Sequence, residues 1–171
     1  MKPLPRLTLV LGGARSGKSR YAEGLVTSAG GGVYLATAQA LDGEMHARIE
    51  EHRARRASAW TTTEEPIDLA GALARADAER PVLIDCLTLW LSNIMLAKRD
   101  VDADCDALIA ALGLRTAPVV AVSNEVGLGI VPDNALARDF RDAQGTLNQR
   151  VAMLADRVVF LAAGLPLVLK G

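Results

Sequence analysis

The chain has 171 residues, of which 50% are hydrophobic and 4% aromatic, and its formal net charge is −1. This length and composition predict a single domain, residues 1–171, with an aliphatic core. The near-neutral charge argues against a nucleic-acid partner, and no apolar stretch reaches the roughly 18–20 residues of a membrane span. The two cysteines lack metal-ligand spacing and no signal peptide is recognisable, so we expect a reduced, cytoplasmic protein.

Short aliphatic segments alternate with helical patterns along the chain. A strand pattern at 7–11 ends in a glycine-rich turn, and a helical pattern follows at 19–28. Further strands are predicted at 33–36, 60–63, 82–84, 119–122 and 158–161, and further helices at 42–56, 67–78, 87–98, 104–114 and from the turn at 131–133 to about 155. Residues 167–169 are predicted to form an antiparallel hairpin with the last strand. This alternation predicts an α/β fold, a mostly parallel sheet with helices on both faces.

The turn after the first strand carries a phosphate-binding motif. Residues 12–19 fit the pattern G-x-x-x-x-G-K-[ST] in full and consist of Gly12, Gly13, Ala14, Arg15, Ser16, Gly17, Lys18 and Ser19. Glycines let backbone N–H groups turn toward a β-phosphate, and the helix N-terminus adds its partial positive charge. Lys18 is expected to reach the β- and γ-phosphates, and the Ser19 hydroxyl to bind Mg²⁺. The alternative, a glycine-rich turn with a chance Lys-Ser pair, fits the context poorly.

Asp85 follows the buried strand pattern at 82–84. A phosphate loop needs a second carboxylate at the end of a neighbouring strand to hold the metal, and ligands of open α/β sheets bind at the carboxyl ends of strands. Asp85 is therefore predicted to bind Mg²⁺. The alternative is that Asp85 only caps the next helix, a position that Asp favours.

The two histidines, His46 and His52, lie in the helix predicted at 42–56. Residues at 44, 48, 52 and 55 or 56 share one face of that helix, so the plain interpretation is a solvated charged face. The functional interpretation is that neutral His52, among arginines that lower its pKa, attacks an α-phosphate to form a phosphoramidate. Spacing alone leaves both open.

Several ordered motifs together resemble one known family. They are the loop at 12–20, Ala-Thr-Ala-Gln at 36–39, the pattern Asp-x-Glu-Met-x-x-Arg-Ile-x-x-His at 42–52, Asn-Glu-Val-Gly-x-Gly-Ile-Val-Pro at 124–132, and the segments 137–142 and 145–150. In these the chain resembles the bifunctional adenosylcobinamide kinase / adenosylcobinamide-phosphate guanylyltransferase family of cobalamin synthesis. The likeness runs from about residue 7 to the end of the chain.

The resemblance implies two reactions on a corrinoid substrate. ATP or GTP first phosphorylates the hydroxyl of adenosylcobinamide, and GMP from GTP then passes through a covalent histidine to the phosphate, giving adenosylcobinamide-GDP and pyrophosphate. The histidine of the family pattern falls on His52, whereas His46 lies outside it. The resemblance also implies Mg²⁺, a RecA-like P-loop NTPase fold and a homotrimer.

Further nucleotide contacts are implied by the same resemblance. They fall on Thr37, Ala38, Gln39, Arg53, Ala54, Arg55, Arg56, Glu64 and Asp85. A carboxylate at Glu64 can accept hydrogen bonds from guanine N1–H and its 2-amino group, although a solvent-facing role fits almost equally well. Glu125, after a predicted strand end, can bind substrate, act as a base or anchor the glycine-rich turn behind it. The rival functions are a P-loop kinase of another small hydroxyl substrate and a non-catalytic GTP-sensing module.

Overall fold

A computed structural model describes residues 3–38 and 59–171 of the chain. These residues form seven strands and five helices. In chain order they are β1 (Leu7–Gly12), α1 (Lys18–Ser28), β2 (Gly32–Ala36), β3 (Trp60–Glu64), α2 (Leu69–Arg75), β4 (Val82–Asp85), α3 (Leu87–Leu96), α4 (Val101–Leu114), β5 (Val119–Val122), α5 (Ala135–Leu154), β6 (Arg157–Ala162) and β7 (Leu165–Lys170).

All seven strands belong to one sheet with the order β3-β2-β4-β5-β1-β6-β7. The first six strands of this order pair in parallel, and β7 pairs antiparallel with β6. The predicted α/β class, the mostly parallel sheet and the C-terminal hairpin are therefore confirmed. The carboxyl ends of the parallel strands lie along one edge of the sheet, which carries the phosphate loop after β1 and Asp85 at the end of β4.

Successive residues of each central strand point to opposite faces of the sheet, and both faces are buried. Leu9 of β1 packs into the larger core cluster, together with the apolar sides of α2, α3, α4 and α5. The next residue, Val10, packs into the smaller cluster with Ala22 and Val26 of α1. Helices cover both faces, as the aliphatic strand pattern predicts.

Aspartate caps explain two differences from the predicted helix boundaries. The helix predicted at 67–78 is shorter, because Asp68 accepts a hydrogen bond from Gly71 N and fixes the start, while Ala76 is extended and ends it. The helix predicted at 104–114 begins earlier, because Asp100 caps it through Ala103 N. An N-cap side chain satisfies a backbone N–H that the first helical turn leaves unpaired, so its position defines where the helix begins.

The helix predicted at 42–56 lies outside the described residues. No helix within residues 3–38 and 59–171 combines the length and the apolar character required to cross a bilayer.

Candidate active site

Two glycines give the phosphate loop its shape. Gly12 has φ 149°, and a Cβ added there would lie 2.5 Å from the Leu161 carbonyl oxygen and 2.7 Å from Ser16 Oγ. Gly17 is left-handed with φ 95° and serves as the N-cap of α1. Any side chain at either position would strain the backbone or force its neighbours apart. The loop therefore depends on the glycines of the motif and ends at the N-terminus of a helix, where anions bind.

The loop is braced from both sides by other parts of the sheet. Glu125 N, just beyond β5, donates a hydrogen bond to Gly12 O at 3.1 Å, and Gly164 N, in the turn between β6 and β7, donates to Ser16 O at 3.0 Å. The C-terminal hairpin thus stabilises the phosphate loop directly. Because these contacts fix the loop through its carbonyls, they preorganise it before any nucleotide arrives.

Lys18 lies in the centre of the loop. Its side chain is largely buried, with 7% of its surface exposed. Its Nζ donates hydrogen bonds to Gly13 O at 2.5 Å and to Ser16 Oγ at 3.4 Å. Burial lowers the pKa of Lys18, and the negative charge of Asp85 partly offsets that effect. A cation held inside a ring of loop atoms is well placed to bind phosphate oxygens.

Asp85 ends β4, but one part of its prediction is wrong. Strand β4 is not a direct neighbour of the phosphate-loop strand, because β5 lies between β4 and β1. Parallel strands are about 4.8 Å apart, so the Cα positions of Asp85 and the loop strand are separated by about 10 Å, a gap that side chains and a metal ion can span. The charge of Asp85 still acts on Lys18 across this gap.

The carboxylate of Asp85 does not cap the following helix. The N-cap of α3 is Cys86, without a side-chain capping bond. Instead, Asp85 Oδ2 accepts a hydrogen bond from the hydroxyl of Tyr34 at 2.7 Å, and Tyr34 is 4% exposed on the neighbouring strand β2. The hydroxyl of the buried tyrosine thus holds one oxygen of the Asp85 carboxylate in place. The capping alternative is therefore excluded.

Cys86 carries a buried thiol next to Asp85. Burial, reinforced by the charge of Asp85, raises the pKa of Cys86 to about 12. A thiol with this pKa stays protonated near neutral pH, and only the thiolate is a strong nucleophile. Cys86 therefore has a structural role within the site.

Thr37 fastens the ends of β2 and β4 to each other. Its hydroxyl is fully buried; it donates to Cys86 O and accepts from Cys86 N, each at 2.7 Å. Asn93 of α3 in turn donates to the Thr37 carbonyl at 2.8 Å. The hydroxyl of Thr37 thus fixes the geometry beside Asp85, and Ala38 follows it at the same edge. Their predicted nucleotide contacts stay predictions.

Glu64 lies at the end of the edge strand β3. It pairs in register with Ala36, which pairs on its other side with Asp85, so the two carboxylates flank the end of β2. Glu64 is exposed, in keeping with either a base contact or a solvent-facing role. The predicted guanine contact remains a prediction.

The segment after β5 is the part of the site that sequence reasoning left open or missed. Glu125 Oε1 accepts a hydrogen bond from Gly127 N at 2.6 Å, which favours its interpretation as an anchor of the glycine-rich turn. Behind it lies a buried polar network that sequence reasoning did not identify, formed by Thr88, Ser123, Gln144 and Asn148. The available signal was a polar residue, Ser123, directly after an entirely aliphatic strand.

Some predicted site residues lie outside the described residues. They are Gln39, His52, Arg53, Ala54, Arg55 and Arg56, together with His46. The structure brings together the other predicted groups: the loop from Gly12 to Ser19 and Asp85 lie at one edge of the sheet, with Thr37, Ala38 and Glu64 beside Asp85.

The sequence model of a known family, described as cobinamide kinase / cobinamide phosphate guanyltransferase, matches residues 8–169 of the chain. The chain belongs to this family. It is 52% identical over 167 residues to the bifunctional adenosylcobalamin biosynthesis protein CobP of Pseudomonas aeruginosa, covering 95% of this chain and 96% of that protein. It is 42% identical over 183 residues to the bifunctional adenosylcobalamin biosynthesis protein CobU of Salmonella typhimurium, covering 96% and 99%. The resemblance inferred from the motifs is confirmed.

Solved structures support the fold. The crystal structure of the RadB recombinase matches with a TM-score of 0.50 at 18% identity, over 92% of this chain and 74% of that one. A protein of Pyrococcus horikoshii OT3 matches with a TM-score of 0.55 at 8% identity, over 99% and 88%. The first match confirms the RecA-like P-loop NTPase fold; such low identities carry no statement about function.

Proposed function

We propose that this chain, as one domain, catalyses both reactions that its family description names. ATP or GTP phosphorylates the hydroxyl of adenosylcobinamide, and GMP from GTP is then transferred through His52 to the resulting phosphate, giving adenosylcobinamide-GDP and pyrophosphate. The observation that carries the proposal is the braced phosphate loop with Lys18 at its centre and Asp85 on the same sheet edge. Family membership supplies the substrate.

The loop lowers the barrier to attack on a phosphate. Phosphate oxygens repel an incoming nucleophile, and the repulsion is offset by the loop N–H groups, the α1 N-terminus and Lys18. Partial burial of Lys18 increases its attraction for an anion, because charges interact more strongly where water is excluded. Binding a triphosphate also adds negative charge beside the buried ammonium group, on which the charge of Asp85 already acts. Both triphosphates are expected to use this one loop.

Magnesium fits the residues at this edge. Ser19 places a half-exposed hydroxyl in the first turn of α1, and Asp85 offers the carboxylate oxygen that Tyr34 does not occupy. Within the described residues no cluster of three or more His, Cys, Asp or Glu side chains forms a closed metal cage. Two oxygen ligands suit Mg²⁺, which typically binds through one or two protein groups plus substrate phosphates. Bound there, Mg²⁺ would neutralise charge that develops on the phosphates.

His52 is the proposed carrier of GMP. In the first half-reaction its imidazole nitrogen bonds to the α-phosphorus of GTP as the bond to the β-phosphate oxygen breaks, releasing pyrophosphate. In the second half-reaction a phosphate oxygen of the corrinoid displaces the imidazole. The described chain reaches Ala38 at the sheet edge that carries Asp85, and the segment holding His52 continues from there. Arginines at 53, 55 and 56 supply positive charge for the phosphate oxygens.

Replacing His52 tests the proposal and separates it from its rivals. We expect His52→Ala to abolish transfer of label from α-labelled GTP to the protein while kinase activity stays within a few-fold of wild type, because only the second reaction needs the covalent carrier. His46→Ala is the matched control and should keep both activities. A GMP adduct on His52→Ala protein would show that another residue carries the nucleotide.

The rival functions predict different outcomes in the same assay. A kinase of another small hydroxyl substrate forms no covalent GMP adduct, and a GTP-sensing module releases no pyrophosphate when phosphorylated cobinamide is added. Either result with wild-type protein would overturn the proposal.

We also propose that the enzyme is a cytoplasmic homotrimer. Large apolar side chains that are exposed on the single chain support an association surface. The most exposed are Leu114, Leu128, Ile130, Met153 and Leu165. Light scattering of the purified protein should give three times the chain mass of 18.1 kDa; a monomer would contradict this part of the proposal.

A further inference from the structure

Asn124 lies between the two halves of the phosphate site. Strand β5 separates β1 from β4, so the residues that follow it emerge between the phosphate loop and the end of Asp85's strand. On one side, Glu125 N donates to Gly12 O at 3.1 Å. On the other side, Asn124 N donates to the hydroxyl of Thr88 at 2.7 Å, three residues beyond Asp85. The backbone from Asn124 to Glu125 is therefore tied on one side to the phosphate loop and on the other to the helix that follows Asp85.

A buried polar network fixes this backbone. The Asn124 carbonyl accepts a hydrogen bond from Asn148 Nδ2 at 3.1 Å. Asn148 Oδ1 accepts from Ser123 Oγ at 2.6 Å and from Gln144 Nε2 at 3.0 Å. The side chains of this network are at most 7% exposed. Burying polar groups is costly unless they are paired, and in this network the buried side-chain atoms other than Gln144 Oε1 have hydrogen-bond partners. Two of these bonds meet the backbone of Asn124, at its N–H and its C=O.

The side-chain amide of Asn124 is not used by that network. Within residues 3–38 and 59–171 it has no hydrogen-bond partner, and it is half-buried. Glu125 differs, because its carboxylate is engaged by Gly127 N. The fold thus holds both the N–H and the C=O of Asn124 rigidly and leaves its carboxamide available at the edge where phosphates bind. A preorganised neutral donor of this kind stabilises charge that develops on a phosphoryl group.

We propose that the Asn124 carboxamide is a further catalytic group, which donates a hydrogen bond from Nδ2 to the terminal phosphate of the bound triphosphate during the kinase reaction. This inference rests on the proposed function. In that reaction the substrate oxygen bonds to the γ-phosphorus, the bond from that phosphorus to the β–γ bridging oxygen breaks, the nucleoside diphosphate leaves and the hydroxyl proton passes to water. The hydrogen bond from Asn124 Nδ2 stabilises negative charge on the γ-phosphoryl group as this exchange proceeds.

The two reactions place different demands on this group. Guanylyl transfer occurs at the α-phosphorus, and the terminal phosphate departs unchanged as part of pyrophosphate. A donor directed at the terminal phosphate therefore assists the kinase reaction much more than guanylyl transfer. This asymmetry distinguishes Asn124 from Lys18, whose loss is expected to weaken both reactions. Thr88 and Asn148 act on the chemistry only through Asn124, as positioning residues.

Two substitutions test the proposal, one that removes the carboxamide and one that replaces it with a carboxylate of the same shape, with kinase and adduct-forming rates measured on each protein. Asn124→Ala should lower kinase kcat by about 100-fold, the typical loss for one transition-state donor. Asn124→Asp should lower it further, because a carboxylate of the same shape repels the phosphate. At saturating GTP, Asn124→Ala should lose much less of its rate of GMP-adduct formation than of its kinase kcat, and the melting temperatures of both variants should match that of wild type.

Several outcomes would overturn the assignment. They are equal losses in the two reactions, an Asp variant as active as wild type, and a fall in melting temperature that accounts for the lost activity. A purely structural amide predicts that the isosteric Asp variant is milder than the Ala variant, the opposite order. If wild-type protein itself phosphorylates no cobinamide, the proposed function fails; if wild type is active and Asn124→Asp is unaffected, only this inference fails.

Discussion

Tyr34→Phe isolates the hydrogen bond that orients Asp85. The substitution removes only the hydroxyl, because the ring keeps its edge contact with Trp60, whose centroid lies 6.1 Å away at an interplanar angle of 70°. The substitution removes the 2.7 Å hydrogen bond to Asp85 Oδ2. Without it the carboxylate can rotate, and the metal site loses one fixed ligand. We therefore expect weaker binding of Mg²⁺ at the proposed metal site, so that both reactions require more Mg²⁺ while the phosphate loop itself stays intact.

The size of the effect follows from the surroundings of the two groups. A hydrogen bond to a charged group contributes about 1.5–3 kcal/mol when it is buried. Tyr34 is buried, but Asp85 is half-exposed, so water replaces part of the lost interaction. The lower end of that range, about 1.5 kcal/mol, corresponds to roughly a tenfold change in a binding constant. The Mg²⁺ concentration for half-maximal kinase activity should thus rise about tenfold, within the range known for outer partners of metal ligands.

The assay is a Mg²⁺ titration of kinase activity at saturating nucleotide. Tyr21→Phe is the matched control, since Tyr21 is half-buried on α1 and its hydroxyl makes no hydrogen bond within the described residues. It should leave the titration unchanged. If Tyr34→Phe also leaves it unchanged, or if its activity loss persists at high Mg²⁺, then the tyrosine does not act through the carboxylate.

Three further predictions follow from the loop and from the buried thiol. Lys18→Ala should lower both the kinase and guanylyl rates by more than about 100-fold, since both triphosphates use one loop; unchanged steady-state kinetics in either assay would refute shared use. Gly12→Ala should abolish nucleotide binding measured by calorimetry, because the added Cβ would lie 2.5 Å from a backbone oxygen. The control is Gly24→Ala on α1, where the added Cβ meets open space. It should keep nucleotide binding and raise the melting temperature by about 2–4 °C. Burial raises the pKa of Cys86 to about 12. Between about pH 9 and pH 12 the folded state therefore keeps the thiol proton while the unfolded state loses it. The free energy of unfolding should fall by on the order of 1 kcal/mol for each unit by which the pH increases. Denaturant unfolding should show a shallower decline for Cys86→Ala; an identical slope would contradict the raised pKa.

The phosphate loop and the strand pattern were predictable because their physical causes are local. A glycine-rich turn between an aliphatic strand and a helix requires only neighbouring residues, and strands buried on both faces read as continuous apolar runs. Asp85 was predictable for the same reason, as a carboxylate directly after such a run. The caps at Asp68 and Asp100 are local too, but several nearby residues compete for each helix start, so boundaries shift by a few positions.

The features that escaped prediction depend on contacts between distant parts of the chain. Chain order does not reveal that β5 lies between β1 and β4, so the separation of Asp85 from the loop strand was missed. The bond from Tyr34 to Asp85 joins residues 51 positions apart, and a tyrosine in an aliphatic strand reads as core packing. For Glu125 the sequence left three roles open, and the short bond from Gly127 N favours the role of anchor among them.

The most direct test is mass spectrometry of the intact protein after incubation with Mg²⁺ and GTP, without corrinoid. It shows whether GTP bound at the phosphate loop transfers its GMP to His52. We expect the mass to increase by one GMP, and peptide mapping should locate this GMP on the peptide that contains His52. Lys18→Ala protein should form no adduct. An unmodified wild-type protein, or an adduct located on any other residue, would contradict the proposed transfer.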